Sequence, residues 1–302
     1  MNPDEATRAG FVALIGATNA GKSTLINRLV GAKVAIVSHK VQTTRSTIRG
    51  IVISGQAQIV FVDTPGIFRP RRRLDRAMVE TAWGGAREAD LVALLIDAAS
   101  GLGDDDAAIV RSLIDLPRPK ILLLNKIDLV RRETLLELAA KADALLPFER
   151  TFMISAVSGD GIDDFVRYVA GQLPESPWLY PEDEISDVPL RSLAAEITRE
   201  KMFDRLHQEL PYQATVETES WKEQPDGSVR IEQTIFVERD SQKKIVIGKG
   251  GATIKSISMS ARKEIAVLAE KPVHLFLFVK VRANWADDPE RYRAMGIEFP
   301  KT

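Results

Sequence analysis

Gly16-Ala17-Thr18-Asn19-Ala20-Gly21-Lys22-Ser23 is the stretch that decides the fold. It fits G-x4-G-K-[S/T], follows an apolar run at 11–15 and opens a helical pattern, the setting in which such a loop cradles phosphate. Glycines at 16 and 21 let backbone N–H groups face an anion closely, and the helix that follows adds a favourable field. Lys22 is placed to reach the β- and γ-phosphates, and the Ser23 hydroxyl to bind Mg²⁺. Asn19, Ala20 and Thr24 complete the expected lining.

Outward from this loop, short runs rich in Val, Ile and Leu recur at 11–15, 58–63, 91–97, 121–125 and 152–155. Each is followed by a loop or a helical pattern, as expected of buried parallel strands with helices on both faces. Residues 51–54 read as an extra edge strand paired with the next one. The spacing predicts a doubly wound α/β domain over 11–173, preceded by a loose polar tail at 1–10. Pro174-Glu175-Ser176-Pro177-Trp178-Leu179-Tyr180-Pro181 cannot continue a helix or a central strand, so 174–188 is the expected linker.

Residues 189–285 read differently. Helical periodicity over 190–209 gives way to strand-like runs at 212–223 and 228–239, joined at the turn signal Pro225-Asp226-Gly227. A short helix leads into Gly248–Gly251, a longer helix covers 252–270, and 273–281 is a strand. The predicted order is α-β-β-α-α-β, an α+β domain, with a tail at 286–302.

Composition narrows the classes. With no cysteine, disulfides and thiolate metal sites are excluded, which fits a reducing cytosol. The histidines His39, His207 and His274 form no sequence cluster for a metal. No run reaches the roughly 18 apolar residues of a membrane span, and the N-terminus lacks the apolar core of a signal peptide. A net charge of −1 conceals a basic stretch between Ser241 and Lys263, with Lys243, Lys244, Lys249, Lys255, Arg262 and Lys263 and no acidic residue.

The base is read at Asn125-Lys126-Ile127-Asp128, after an apolar run. The Asp128 carboxylate can accept from the N1–H and 2-amino group of guanine together, whereas adenine has no donor at either place. Asp63-Thr64-Pro65-Gly66 ends the third strand. Asp63 is placed to hold Mg²⁺, and Gly66 to offer its N–H to a γ-phosphate. Ser155-Ala156 would back the guanine through a backbone N–H. These stretches each sit where an open α/β sheet binds ligands, at the carboxyl ends of strands. Together they resemble the translation-factor-like class of small GTPases, and Gln42-Thr43-Thr44-Arg45 looks like that class's first switch. By that resemblance Thr44 is a Mg²⁺ ligand, with Thr43 as the alternative. The same resemblance implies a potassium ion bound beside the phosphates at Asn19. Ile67 stands where many GTPases carry a water-orienting Gln, so slow intrinsic hydrolysis is expected.

Val246-Ile247-Gly248-Lys249-Gly250-Gly251 puts a G-x-x-G between two helices, as in the loop that clamps the nucleic-acid backbone in type II KH domains. Lys243, Lys244, Lys249 and Lys255 would attract phosphates in a salt-dependent way. Ile247, Gly248, Gly250 and Gly251 would line the approach, while Val246, Ile254 and Ile257 read mostly as core. Trp285 reads as core in preference to a base-stacking platform.

A GTPase domain joined through a Pro-rich linker to a type II KH domain resembles the Era family of bacterial GTPases over 10–295. Gln42-Thr43-Thr44-Arg45, Gln242-Lys243-Lys244-Ile245-Val246-Ile247-Gly248, Pro272-Val273-His274-Leu275 and Trp285-Ala286-Asp287-Asp288 carry the likeness. Thr18 before Asn19 and Gly250 inside the G-x-x-G depart from it. The resemblance implies GTP/GDP and Mg²⁺ as ligands and a maturation factor that binds the 3′ end of the small-subunit ribosomal RNA. It also implies a monomer that is cytoplasmic and peripheral at the inner face of the membrane. Competing readings are a P-loop ATPase or kinase, opposed by Asn125 to Asp128, and a tRNA-modifying or double GTPase, opposed by the single P-loop and the KH half. A passive RNA chaperone with structural GTP is the third. Arg69, Arg71, Arg72 and Arg73 read as a solvated loop or as a nucleotide-dependent RNA contact, and Asp104 to Asp106 as a helix start.

Overall fold

The apolar runs around the phosphate loop become the centre of a six-stranded sheet. The computed structural model describes residues 6–38, 40, 43–206 and 210–300; His39, Gln42 and His207 lie outside them. The strands are β1 (Arg8–Gly16), β2 (Ile48–Ser54), β3 (Ala57–Asp63), β4 (Leu91–Asp97), β5 (Lys120–Asn125) and β6 (Arg150–Met153). They lie in the order β2-β3-β1-β4-β5-β6. Only β2 runs antiparallel to its neighbour, β3; the other pairings are parallel. Helices α1 (Lys22–Val30), α2 (Arg73–Glu88), α3 (Asp104–Leu113), α4 (Arg132–Leu145) and α5 (Ile162–Gln172) connect them. Ala82, Val110 and Leu138 of α2, α3 and α4 pack with Ala13, Ile15 and Leu94 on one face. On the other, Phe165 of α5 meets Phe61 and Phe152 with ring centroids 5.7 and 5.8 Å away. Burial on both faces is why these strands are unbroken apolar runs.

Two expectations change here. Residues 8–10 are not loose tail: they extend β1 by pairing with 57–59 of β3, and the Phe11 amide donates to the Asp90 carboxylate at 2.8 Å. The last strand stops at Met153, leaving Ser155 and Ala156 in the loop beyond it.

The chain divides into two compact units. The first holds the described residues within Met1–Ala35, Thr44–Asp187 and Met295–Thr302, and the second Ile36–Thr43 and Val188–Ala294. The Pro-rich segment therefore packs with the first unit through Asp187. Its Leu179 and Tyr180 amides donate to the Gln58 side chain (2.7 and 2.9 Å), and Trp178 Nε1 donates to the Gln56 carbonyl. The Ile51 amide of β2 donates to the Ile185 carbonyl. This covers part of an edge strand that would otherwise offer unpaired backbone groups.

The second unit runs α6 (Leu190–Arg205), β7 (Ala214–Glu223), β8 (Val229–Val237), α7 (Asp240–Ile247), α8 (Ala252–Ala269) and β9 (Val273–Val281). This is the α-β-β-α-α-β order. The sheet is β7-β8-β9, antiparallel then parallel. Leu193, Ala194 and Ile197 of α6 and Ala261 and Ile265 of α8 pack on Val229, Ile231, Val273 and Leu275. The hairpin closes with the Gln224 amide on the Ser228 carbonyl and Gly227 at positive φ. β8 ends at Val237, two residues early, because the Gln242 side chain accepts from the Glu238 and Arg239 amides and caps α7.

Beyond β9 the chain forms a short turn at Trp285–Asp287 and α9 (Pro289–Ala294). Trp285 is 1% exposed, and its indole N–H donates to the Gln213 carbonyl at 3.0 Å. It is thus a core residue with a satisfied polar edge, not a stacking platform. No helix among the described residues is long and apolar enough to cross a membrane. Replacing Trp285 with Ala should cost about 3–5 kcal/mol of stability, measured by urea unfolding of the whole chain.

Candidate functional site

The phosphate loop joins the C-terminal end of β1 to the N-terminus of α1, with Gly21 in the left-handed region at φ 100°. A Cβ at Gly21 would stand 2.2 Å from Asn125 Nδ2, so glycine is required there by conformation and by space. Asn125, at the end of β5, is buried. Its Nδ2 donates to the Ala20 carbonyl at 2.8 Å, and its Oδ1 accepts from the Ala156 amide at 3.0 Å. One side chain thereby ties the phosphate loop to the loop after β6. Asn19 adopts positive φ in the middle of the phosphate loop, and Thr24 lies in the first turn of α1.

Lys22 is buried, and its ammonium donates to the carbonyls of Gly16 (3.0 Å) and Ala17 (2.8 Å). Burial lowers its pKa to about 8, against the raising effect of Asp63 and Asp106. Asp63, fully buried, is pushed up to about 6 by desolvation, against the Lys22 charge and the Ser23 hydrogen bond. The Ser23 hydroxyl lies 2.8 Å from Asp63 Oδ2 and 2.8 Å from the Thr44 hydroxyl. Asp63 Oδ1 is buried and has no partner among the described residues. Two hydroxyls and a carboxylate with a spare oxygen form a hard, all-oxygen donor set that fits Mg²⁺. Thr43 is turned elsewhere, with its hydroxyl donating to the Lys40 carbonyl at 2.8 Å. Of the two threonines expected at this place, Thr44 is the one whose hydroxyl lies beside Ser23. The Ile67 amide donates to the Gly16 carbonyl, which sets the residues after Gly66 beside the phosphate loop.

On the base side, Lys126 has positive φ and its ammonium lies 2.5 Å from Asp97 Oδ2. Asp128 is exposed in the short turn Ile127–Leu129. The Ser155 amide donates to the Asp160 carbonyl and the Ala156 amide to Asn125, so both hold the loop itself in this structure. Two residues escaped the sequence reading. Asp97 could have been found as the polar residue that ends β4 in register with Asn125. Arg28, which clamps the Ala156 and Val157 carbonyls from α1, carries no sequence signal.

The second site is the turn between α7 and α8. Gly248 has φ 76°, and a Cβ there would lie 2.2 Å from Thr253 Oγ1 and 2.9 Å from its amide. Gly250 and Gly251 are also left-handed, which accounts for the extra glycine inside the motif. Lys244, Lys249 and Lys255 are exposed and Lys243 is half-buried around this turn. Val246 and Ile257 are buried in the core, while Ile247 and Ile254 remain half-exposed at its edge.

A family model described as a 50S ribosome-binding GTPase matches residues 11–126, and one described as a KH domain matches 209–286. GTPase Era of Rhizobium meliloti (strain 1021) is 70% identical over 98% of this chain and 94% of its own length. GTPase Era of Brucella suis biovar 1 is 64% identical over 97% and 94%. Among solved structures, Era in complex with MgGDPNP and nucleotides 1506–1542 of 16S ribosomal RNA superposes with a TM-score of 0.91 at 38% identity, covering 96% of this chain and 99% of that one. A variant of Aquifex aeolicus Era bound to GDP·AlF4⁻ matches equally well, with the same coverage.

Because Asn125 bridges two loops from the interior, Asn125→Ala should weaken GDP and GTP together by roughly tenfold or more, from about 1–3 kcal/mol of lost buried hydrogen bonding; equilibrium titration with fluorescent nucleotides checks this. A second expectation concerns pH. Protonated Asp63 cannot serve a cation, so apparent Mg²⁺ affinity should fall as pH drops through about 6, by about tenfold per unit below it. Mg²⁺ titrations of the nucleotide-bound protein between pH 5 and 8 would show the break.

Proposed function

Because the chain belongs to the GTPase Era family, we propose that it is a GTPase that works on the small ribosomal subunit by binding the 3′ end of its RNA, with nucleotide state regulating that contact. The observation that carries the nucleotide half is the cluster of Ser23, Thr44 and Asp63 oxygens beside the buried Lys22 at the end of the phosphate loop. Mg²⁺ would be held by these three residues and would neutralise charge on the β- and γ-phosphates. Lys22 would exchange its two carbonyl partners for phosphate oxygens. The amides of Gly16 to Ser23 and of Gly66 would orient the terminal phosphate, and Asn125, Lys126 and Asp128 would select guanine. Ile67 has no group that can orient water. Hydrolysis is accordingly slow and depends on backbone positioning and on a monovalent cation at Asn19, which we read as a potassium site.

The RNA half rests on the glycine turn. Gly248, Gly250 and Gly251, all at positive φ, carry no side chain that would hold a sugar–phosphate backbone away, and the exposed Lys249 between them, with Lys244 and Lys255, supplies positive charge. The Era structure with MgGDPNP and 16S RNA supports the same ligands here. The family further leads us to propose a monomer, cytoplasmic and peripheral at the inner face of the membrane.

Two measurements test this reading. RNA binding is compared by filter assay between the 3′-terminal small-subunit segment and a scrambled control, with a non-hydrolysable GTP analogue or GDP bound. Tight, sequence-dependent binding favoured by the analogue is expected; indifference to nucleotide would favour a passive RNA-binding protein with structural GTP. GTP hydrolysis should run faster in potassium than in sodium buffer, and equal rates would remove Asn19 from the cation role.

A further inference from the structure

Asp97 is the last residue of β4, and its register partner is Asn125, the last residue of β5. The two strand ends are tied by the Ala98 amide, which donates to the Asn125 carbonyl at 2.9 Å. The Asp97 carboxylate is fixed by its own turn. Its Oδ1 accepts from the Ala99 amide at 2.9 Å and its Oδ2 from the Ser100 hydroxyl at 3.2 Å. The Asp97 carbonyl accepts from the Ser100 and Gly101 amides at 3.1 and 3.0 Å. Aspartate is favoured in such turns because its side chain bonds the backbone just ahead of it. The carboxylate therefore has a set position before it meets a more distant part of the chain.

That distant part is Lys126. Its ammonium lies 2.5 Å from Asp97 Oδ2, with the lysine and aspartate side chains 28% and 19% exposed, so solvent screens this pair less than one on an open surface. Lys126 also has φ 66°, a conformation that residues other than glycine adopt rarely and that the surrounding structure must hold in place. Its carbonyl accepts from the Leu129 amide at 3.0 Å, and the neighbouring Ile127 amide donates to the Ile154 carbonyl at 3.3 Å. Those bonds set the short turn Ile127–Leu129, which carries Asp128 at its middle. Held at its ammonium and at its carbonyl, Lys126 lays its four-carbon stem along one path between the ends of β5 and β4. The Asp128 carboxylate stands two residues further on.

We infer that Asp97 is a positioning residue for base recognition: through its ion pair with Lys126 it fixes the turn that carries Asp128 and so sharpens selection for guanine. This rests on the reading of Asp128 as the group that accepts from guanine. The contribution is the same for diphosphate and triphosphate, because the base is common to both. Loss of the pair frees one end of a residue held in an unfavourable backbone conformation. The carboxylate two positions on then spends less time where the N1–H and 2-amino group of guanine need it. The 2-amino contact is the part of the readout that separates guanine from hypoxanthine, so it is the part that reports the change.

The test uses the full chain loaded with fluorescent GDP, displaced in turn by GDP, by a non-hydrolysable GTP analogue and by inosine diphosphate, which lacks the 2-amino group; thermal unfolding checks the fold. Asp97→Asn keeps an acceptor for the Ala99 amide and removes the charge. It should weaken GDP and the GTP analogue alike, by roughly tenfold, and lower the preference for GDP over inosine diphosphate by roughly threefold. Asp97→Glu restores the charge and should recover part of both. Because Asp97 acts through Lys126, adding Asp97→Asn to Lys126→Met should cost no more than about twofold beyond Lys126→Met alone. If Asp97→Asn does not fold, Lys126→Met decides the matter, since it opens the same pair from the other side, and an unchanged base preference there overturns the inference. A lower melting temperature in Asp97→Asn with the base preference intact also overturns it. Asp128→Ala runs beside these. If it abolishes the preference while Asp97→Asn leaves it intact, Asp97 is not a positioning residue and the base reading stands. If Asp128→Ala leaves the preference unchanged, the base reading falls and the inference with it.

Discussion

The carboxamide of Asn125 is the interaction on which the nucleotide site depends. It sits at the end of β5, in the interior, and spends its donor on the phosphate loop and its acceptor on the loop after β6. An amide buried between the two loops must keep both partners or leave a polar group unsatisfied. The phosphate loop and the loop after β6 are thereby mechanically joined. Gly21 is part of the same constraint, since any side chain there would occupy the place of the Asn125 amide.

Charge supplies the second constraint. Lys22 and Asp63 are buried together, and desolvation pushes both towards neutrality. Such a pair is costly to keep without a partner of its own. A triphosphate for the lysine and a divalent cation for the carboxylate would each relieve a group the fold has taken out of water. The orphan oxygen of Asp63 points the same way. The pair would thus be completed by a polyanion and a hard cation together, and in the reading proposed above the Ser23 and Thr44 hydroxyls would add neutral oxygens that take no charge from the balance.

The KH half solves a different problem with similar means. Its sheet is covered on one face by α6 and α8, and the nucleic-acid site we propose is not a crevice at a sheet end but a turn between helices. Gly248 is forced by the closeness of Thr253 and by its own backbone angle, whereas Gly250 and Gly251 have open space around them. Open space next to left-handed backbone is what a ligand that approaches main chain needs.

Sequence alone determined the elements and their chemistry wherever the signal is local. The phosphate loop, Asp63, the 125–128 motif and the glycine turn are each contiguous stretches whose meaning lies in spacing and neighbouring apolar runs, and the paired units follow from the change in pattern across the prolines. The start of β1 at Arg8 was missed because polar residues there gain their strand from pairing with β3, which no local pattern reports. Arg28 has no local signal for the same reason, since the carbonyls it holds are 128 and 129 residues away, whereas Asp97 does carry one, as the polar residue that ends β4. What separates Thr43 from Thr44 is also non-local: the Thr44 hydroxyl meets Ser23, whereas that of Thr43 turns to the Lys40 carbonyl. Tertiary structure alone placed Ile36, Val37, Lys40 and Thr43 in the second unit. Read from sequence as part of a GTPase loop, these residues are held by Ile36 packed with Leu193 and Ile197, by Glu200 on the Val37 amide, by Arg199 on the Thr43 carbonyl and by Lys40 on the Phe203 and Leu206 carbonyls, contacts between residues far apart in sequence that exist only once the chain has folded.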